Sequence, residues 1–223
     1  MGNDEIKTVD GYWHIPENFR KITWMEYEST INVMISKIQD YLEQNNQVVD
    51  VIVPILRGGL VPSNYLAYRL KLLKVVPVQY KYLCDGEEDF LKRILPFNAD
   101  GLLENSTILL VDNNHGTGLQ AETAAAEIKE LLPKSTILYA TTYMDFSNQK
   151  NENADVIFYG ELSNSTVALT PNECEELGIE FKVPLSPWEM IEEEAYMGKD
   201  SIFEYINEKD IVKNSETVKE FSL

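Results

Sequence analysis

The sequence predicts an α/β fold built on a mostly parallel sheet flanked by helices. Three observations carry this. Short apolar runs rich in β-branched residues recur at 49–56, 75–83, 107–111, 136–144 and 155–162, as expected of strands buried on both faces. Stretches with helical periodicity lie between several of them, the alternation that βαβ units require. Two of the strands run straight into glycine-bearing turns, at 57–59 and 112–118.

Residues 1–20 are mixed and polar and form a lead-in. Thr23 and Glu26 then make a capping box. Behind it, Trp24, Tyr27, Ile31, Met34, Ile35, Ile38, Tyr41 and Leu42 recur at helical spacing, which predicts an amphipathic helix over 24–44. Val-Asp-Val-Ile-Val-Pro-Ile-Leu at 49–56 is the first buried strand, and Arg57-Gly58-Gly59 the tight turn after it. A helix over 62–72 and a strand over 75–83 follow. Residues 84–105 are polar and acidic, contain Lys92 and Arg93, and read as a loop. A loop of that length in a compact domain suggests a lid. The strand at 107–111 leads through the turn at 112–118 into a helix over 119–132, closed by Pro133-Lys134. The strand at 136–144 ends at Asp145, and a fifth strand spans 155–162.

From Ser186 onward there are ten acidic and four basic side chains, the pattern of a solvated appendage, with stretches at 190–196 and 202–206 compatible with short helices. The domain boundaries are therefore 1–20, 21–190 and an acidic C-terminal extension over 191–223.

The 223 residues carry a formal charge of −18. This acidity argues against a nucleic-acid or anionic-membrane surface, since both need basic groups. A small anionic ligand remains compatible if local groups hold it, because charges beyond about 8 Å are largely screened at ~0.15 M salt. No apolar run approaches the ~20 residues that span a bilayer, and no leader pattern opens the chain. Cys84 and Cys174 are too few for a disulfide framework and read as reduced thiols. The expectation is a soluble cytoplasmic protein.

Ligands of open parallel sheets bind beyond the C-terminal ends of the strands. Both glycine turns and Asp145 fall there. The informative stretch is Ile-Leu-Leu-Val-Asp-Asn-Asn-His-Gly-Thr-Gly-Leu-Gln at 108–120. Gly116 and Gly118 let main-chain N–H groups approach an anion, the helix N-terminus adds partial positive charge, and Thr117 offers a hydroxyl. Such a turn suits a phosphomonoester. The acid upstream suits ribose hydroxyls or a Mg²⁺ bridging them. The turn is not a P-loop, for no Gly-Lys-Ser/Thr follows, nor a dinucleotide fingerprint, for Gly-x-Gly-x-x-Gly is missing. A phosphate beside His115 would raise its pKa.

This stretch resembles the phosphoribosyl-pyrophosphate signature of type I phosphoribosyltransferases: an apolar strand, two acids, variable positions, then Thr-Gly and a hydroxyl residue. Val53–Pro62 looks like the pyrophosphate loop of xanthine-guanine-type enzymes. Ile22–Tyr27 resembles the start of their N-terminal helix, and Pro187-Trp188-Glu189 the Pro-Trp-acid ending of their hood. The resemblance covers about 20–190 and is closest to xanthine-guanine and hypoxanthine-type purine enzymes. It implies a small hood beside the sheet and a Mg²⁺-dependent pentosyl transfer of the purine-salvage kind. A ring nitrogen of a purine-like nucleobase displaces pyrophosphate from C1 of phosphoribosyl pyrophosphate.

The resemblance assigns Leu56, Arg57 and Gly58 to the pyrophosphate. It gives Asp112 and Asn113 to the ribose hydroxyls, with Asp112 also at the metal, and Arg57 and Asp112 the catalytic roles. Gly116, Thr117, Gly118, Leu119 and Gln120 go to the 5′-phosphate, and His115, in the same turn, counts among the residues that bind phosphoribosyl pyrophosphate. Tyr143, Asp145, Val183 and Trp188 go to the base, Trp188 alternatively anchoring the tail. Residues 84–105 become the lid, from which Lys92 or Arg93 could reach the pyrophosphate. Dimers are common in that family, and the stripe on 24–44 suits a homodimer or a core equally.

The chain departs from the pattern at four positions. Asn113 replaces the second acid. Gly116 stands where purine enzymes often carry an acid, and Gln120 where a hydroxyl is usual. Asp145 lies where a lysine reads the 6-oxo group in hypoxanthine and guanine enzymes; a carboxylate there favours an amino group. These departures also fit a catalytically reduced protein of the same fold that binds phosphoribosyl pyrophosphate or a nucleotide and regulates.

Overall fold

The structure, a computed structural model, describes residues 19–84 and 89–189 and two short paired strands, β1 (Thr8–Val9) and β2 (Tyr12–Trp13). The proposed helices at 190–196 and 202–206 lie outside the described residues.

A six-stranded sheet forms the centre. Its strands are β4 (Val51–Leu56), β5 (Val78–Cys84), β6 (Asp89–Leu95), β7 (Thr107–His115), β8 (Thr136–Asp145) and β9 (Val156–Ser163), in the order β6-β5-β4-β7-β8-β9. All neighbours run parallel except β5 and β6. Alternate residues of the central strands feed two cores, as a sheet buried on both faces must. Leu109, Val111, Leu138 and Ala140 pack under α1 (Trp24–Gln44) and α2 (Leu60–Leu70). Ile108, Leu110, Ile137 and Tyr139 pack under α3 (Leu119–Leu131), which turns Ala121, Ala124 and Ala125 to the sheet.

Helix α1 begins at its capping box: the Thr23 hydroxyl accepts from the Glu26 main-chain N–H, and the Glu26 carboxylate accepts from the Thr23 N–H. Its stripe of Tyr27, Ile31, Met34, Ile35 and Ile38 is buried in the core of this chain. A homodimer would therefore need another surface. The helix lies close to β9 because Gly160 has no side chain. A Cβ there would stand 2.6 Å from both the Thr30 methyl and the Thr30 carbonyl oxygen. Gly160→Ala should cost about 2 kcal/mol or more by overpacking, read as a lowered urea midpoint with an unchanged m-value.

A small hood stands at one end of α1. Strand β10 (Val183–Leu185) pairs in parallel with β3 (Phe19–Lys21). Arg20 of β3 bridges Glu180 (2.6 Å) and Glu161 of β9 (2.8 Å), tying the hood to the sheet. A short helix, α4 (Pro171–Leu177), leads to the hood under a second capping box made by Thr170 and Glu173.

The structure differs from the sequence reading in several places: the lead-in contributes β1, β2 and the start of β3, and α2 begins two residues earlier than expected. Residues 89–95, expected within a loop, form edge strand β6, antiparallel to β5. Lys92 faces Lys81 in that ladder, and Arg93 is held by Glu127 of α3 at 3.0 Å. Charged side chains suit an edge strand, where they discourage further pairing. Strand β7 runs on to His115 instead of stopping at Val111, because Asp112, Asn114 and His115 continue to pair with β8. Helix α4 and the three-residue hood strands carry too little periodicity to be read locally.

Candidate active site

The C-terminal ends of β4 and β7 lie side by side. Strand β4 delivers Leu56 to the edge, and the exposed Arg57 follows it through a cis peptide. Gly58 brings this turn against β7: a Cβ there would lie 3.1 Å from the Asn113 Cβ and 3.5 Å from the Asp112 carboxylate. The two glycine-bearing turns that the sequence singles out thus converge.

Asp112 is half-buried between them and accepts from the main-chain N–H of Asn113 at 2.8 Å. Burial raises its carboxyl to about 7; the Asn113 N–H opposes this and the charge of Glu189 adds to it. The Asn113 side chain is buried and faces α1 and the hood. Its Oδ1 accepts from the Tyr27 hydroxyl (3.1 Å), and its Nδ2 donates to the Ser186 hydroxyl (2.8 Å) and the Glu189 carboxylate (3.4 Å).

The next turn is shaped from below. His115 is buried, its Nδ1 bonded to the Tyr139 hydroxyl at 2.9 Å. Gly118 rests on the imidazole: a Cβ there would sit 2.6 Å from ring atoms, and φ is +76°, so glycine is required on both counts. Burial lowers the His115 pKa, with Asp145 and Glu122 partly offsetting it. Gly116, Thr117 and Gly118 run over the ring into α3, with Leu119 exposed and Gln120 half-buried. Asn148 donates to the carbonyls of Thr117 (2.7 Å) and Gly116 (3.3 Å). That directs two acceptors of the turn away from an incoming anion.

Asp145 is buried at the end of β8. Its Oδ1 accepts from the Ser147 N–H (2.9 Å) and hydroxyl, and its Oδ2 from the Thr166 N–H (2.7 Å) and hydroxyl (3.0 Å). Thr166 in turn lies beside Gly116, where a Cβ would be 3.7 Å from its methyl. Tyr143, two residues earlier, is buried with its ring 6.3 Å from Tyr27. In the hood, Val183 is buried, and Trp188 packs edge-on against Tyr27 at 4.7 Å and 5.8 Å from Trp24.

The structure therefore gathers Leu56–Gly58, Asp112 and Asn113 at one point, with the hood's Glu189 beside them. Gly116–Gln120 form the adjoining turn. Asp145 meets that turn through Thr166. Sequence reasoning missed Tyr27, Asn148, Thr166 and Glu189 as site-shaping groups. Tyr27 and Glu189 carried signals, as the end of the Ile22–Tyr27 motif and as the acid after Pro187-Trp188, without a role at the site. Among the described residues, no three His, Cys, Asp or Glu gather as a metal cage, and no helix is long and apolar enough to cross a membrane.

The family model described as "Phosphoribosyl transferase domain" matches residues 23–174. Similar solved structures include a purine phosphoribosyltransferase from Pyrococcus horikoshii, 22% identical with TM-score 0.57, covering 77% of this chain and 94% of that one. A xanthine-guanine-hypoxanthine phosphoribosyltransferase from Helicobacter pylori is 16% identical with TM-score 0.57, covering 80% and 99%. A hypothetical protein from Neisseria gonorrhoeae with bound ppGpp is 21% identical with TM-score 0.54, covering 76% and 89%. At these identities the likeness concerns the fold.

Proposed function

The chain belongs to the phosphoribosyl transferase domain family, and on that premise we propose that it transfers the phosphoribosyl group of phosphoribosyl pyrophosphate to a ring nitrogen of a purine-like nucleobase, releasing pyrophosphate. The observation that carries this reading is the convergence of the Arg57-Gly58 turn on Asp112. A pyrophosphate on the first and a ribose on the second would share one substrate.

In this reading the Arg57 guanidinium, with main-chain N–H groups of 56–58, takes the pyrophosphate, whose oxygens match a planar donor fork. The N–H groups of Gly116–Gln120 and the start of α3 take the 5′-phosphate. The Asp112 carboxylate accepts from ribose hydroxyls and faces the positive charge that grows at C1 as pyrophosphate leaves. Catalysis is then positioning plus electrostatic stabilisation.

A single protein carboxylate suits Mg²⁺, which keeps waters and shares itself with substrate phosphates. Asp112, whose charged form is disfavoured in the free protein, fits as that ligand. Bound there, Mg²⁺ would neutralise charge on the pyrophosphate.

The base would occupy the space between the end of β8, with Tyr143 and Asp145, and the hood, with Val183 and Trp188. Asp145 already accepts from Ser147 and Thr166, so its part there is to fix the wall. Reading an amino group would require one of those bonds to open. A cytoplasmic setting is in keeping with the free, buried thiol of Cys174.

The raised Asp112 pKa gives a pH prediction. A carboxyl raised in the fold favours its neutral form, so it weakens the free protein progressively as pH rises from 3.8 towards about 7. Ligand binding needs the charged form. Affinity for phosphoribosyl pyrophosphate should therefore rise as pH is raised through about 7, with proton release on binding. Calorimetric titrations on either side of that pH should show the rise, and Asp112→Asn should flatten it.

The test of the function is pyrophosphate release from phosphoribosyl pyrophosphate and Mg²⁺ with a panel of bases. Base-dependent release supports the transferase. Tight binding without turnover on any base supports a second reading, a nucleotide-binding regulator. That reading is favoured by the buried amide of Asn113, which faces the hood where the family pattern has an acid. The ppGpp bound to the Neisseria gonorrhoeae protein makes that nucleotide a probe worth adding to the panel.

A further inference from the structure

We propose that Asn113 is a positioning residue: paired with Glu189 as an amide with a carboxylate, it locks the hood to the ribose edge of the site. The inference rests on the phosphoribosyl-transfer reading above.

The direction of every hydrogen bond around Asn113 is determined. The Tyr27 hydroxyl donates its one proton to Asn113 Oδ1 at 3.1 Å. In its 3.1 Å contact with Tyr27, Thr142 must therefore be the donor. The amide then turns Nδ2 to Ser186 and Glu189. Glu189 is itself fixed: its Oε2 accepts from the Ser186 N–H at 2.8 Å, and its own N–H donates to the Ser186 carbonyl at 2.9 Å.

Only a side chain that both accepts and donates can join Tyr27 to Glu189. An aspartate at 113 would satisfy Tyr27 but set a buried second carboxylate against the half-buried Glu189, where like charges repel more strongly than in bulk water. The missing acid of the signature is thus replaced by the partner that the hood's acid requires. The main-chain N–H of the same residue holds Asp112 at 2.8 Å. One residue therefore fixes the carboxylates of both the ribose edge and the hood. A side-chain substitution breaks the ties to Tyr27 and to the hood and leaves the main-chain bond to Asp112 in place.

The hood carries Trp188 and Val183, so loosening it should act on the base. In steady-state pyrophosphate release, Asn113→Ala should raise the KM for the base about tenfold, the scale of one lost hydrogen bond to a charged group, and the KM for phosphoribosyl pyrophosphate much less. Equal rises in both KM values would overturn the assignment to the hood.

Asn113→Asp should raise the base KM further and lower the thermal midpoint. Adding Glu189→Gln should reverse both. The new amide donates to Asp at 113 and still accepts from the Ser186 N–H, while Tyr27 donates as before. A double variant no better than Asn113→Asp in midpoint and in base KM would overturn the pairing. Should Asn113→Asp not fold, recovery of a folded double variant supports the pairing, and failure of both overturns it. Should the wild type release no pyrophosphate with any base, the transferase reading fails, while the midpoints of the single and double variants still decide the pairing.

Discussion

Asp112→Ala is expected to lower kcat/KM for phosphoribosyl transfer about a thousandfold, the scale of removing one preorganised charge from a developing transition state. Asp112 lies in the C-terminal half of β7, three residues before its end, with Gly58 packed over it and the Asn113 N–H on one oxygen. A Cβ on Gly58 would lie 3.5 Å from its carboxylate. Steady-state kinetics of pyrophosphate release measure the loss. The thermal midpoint separates this from damage to the fold. Because burial disfavours the charged carboxyl, its removal should leave the midpoint unchanged or raise it above neutral pH. Arg57→Ala should act in the same direction, about a hundredfold, by removing the bidentate donor for the leaving group. Arg57→Lys should recover only part of that, since an ammonium lacks the fork. A kcat/KM within threefold of wild type in Asp112→Ala would remove this residue from the chemistry.

The second large effect falls on the scaffold. Gly59 follows the Arg57-Gly58 turn with an ordinary helical φ of −66°. It is glycine for space, not for conformation. A Cβ would stand 2.2 Å from the Val111 carbonyl oxygen, 2.7 Å from the Ile55 carbonyl oxygen and 2.9 Å from the Ile55 nitrogen. These are backbone atoms of adjacent central strands and cannot step aside as a side chain can. Gly59→Ala should cost about 3 kcal/mol or more, at the upper end of overpacking. For a chain of this size that is a fall of roughly 10 °C in thermal midpoint. A midpoint within 2 °C of wild type would mean that α2 can move off β4 and β7 without loss.

The contrast between these two glycines and the acids around them shows what local sequence could reveal. Helix α1 was legible because its capping box and apolar stripe are both local signals, and the structure places it over Trp24–Gln44 as expected. The buried strands were legible for the same reason. The positions of Arg57, Asp112 and the glycines near strand ends were legible because strand ends are marked by the change from apolar to polar residues. That change misled at β7, where Asp112–His115 read as turn but remain in the ladder with β8. Strand β6 was hidden because pairing with β5 is a contact between segments, not a property of either. The hood strands pair residues far apart in sequence, Phe19 with Val183. The partners of Asn113 and Asp145 were illegible for the same physical reason. Tyr27, Ser186 and Glu189 converge on Asn113, and Thr166 on Asp145, only once the sheet and hood are assembled.

Transfer of the phosphoribosyl group is tested by product analysis, using mass spectrometry after incubation with phosphoribosyl pyrophosphate, Mg²⁺ and a panel of purine bases. A nucleoside 5′-monophosphate of at least one base should form in equal amount with pyrophosphate, and about a thousandfold more slowly in Asp112→Ala. Binding of phosphoribosyl pyrophosphate with no nucleotide formed from any base would contradict that transfer.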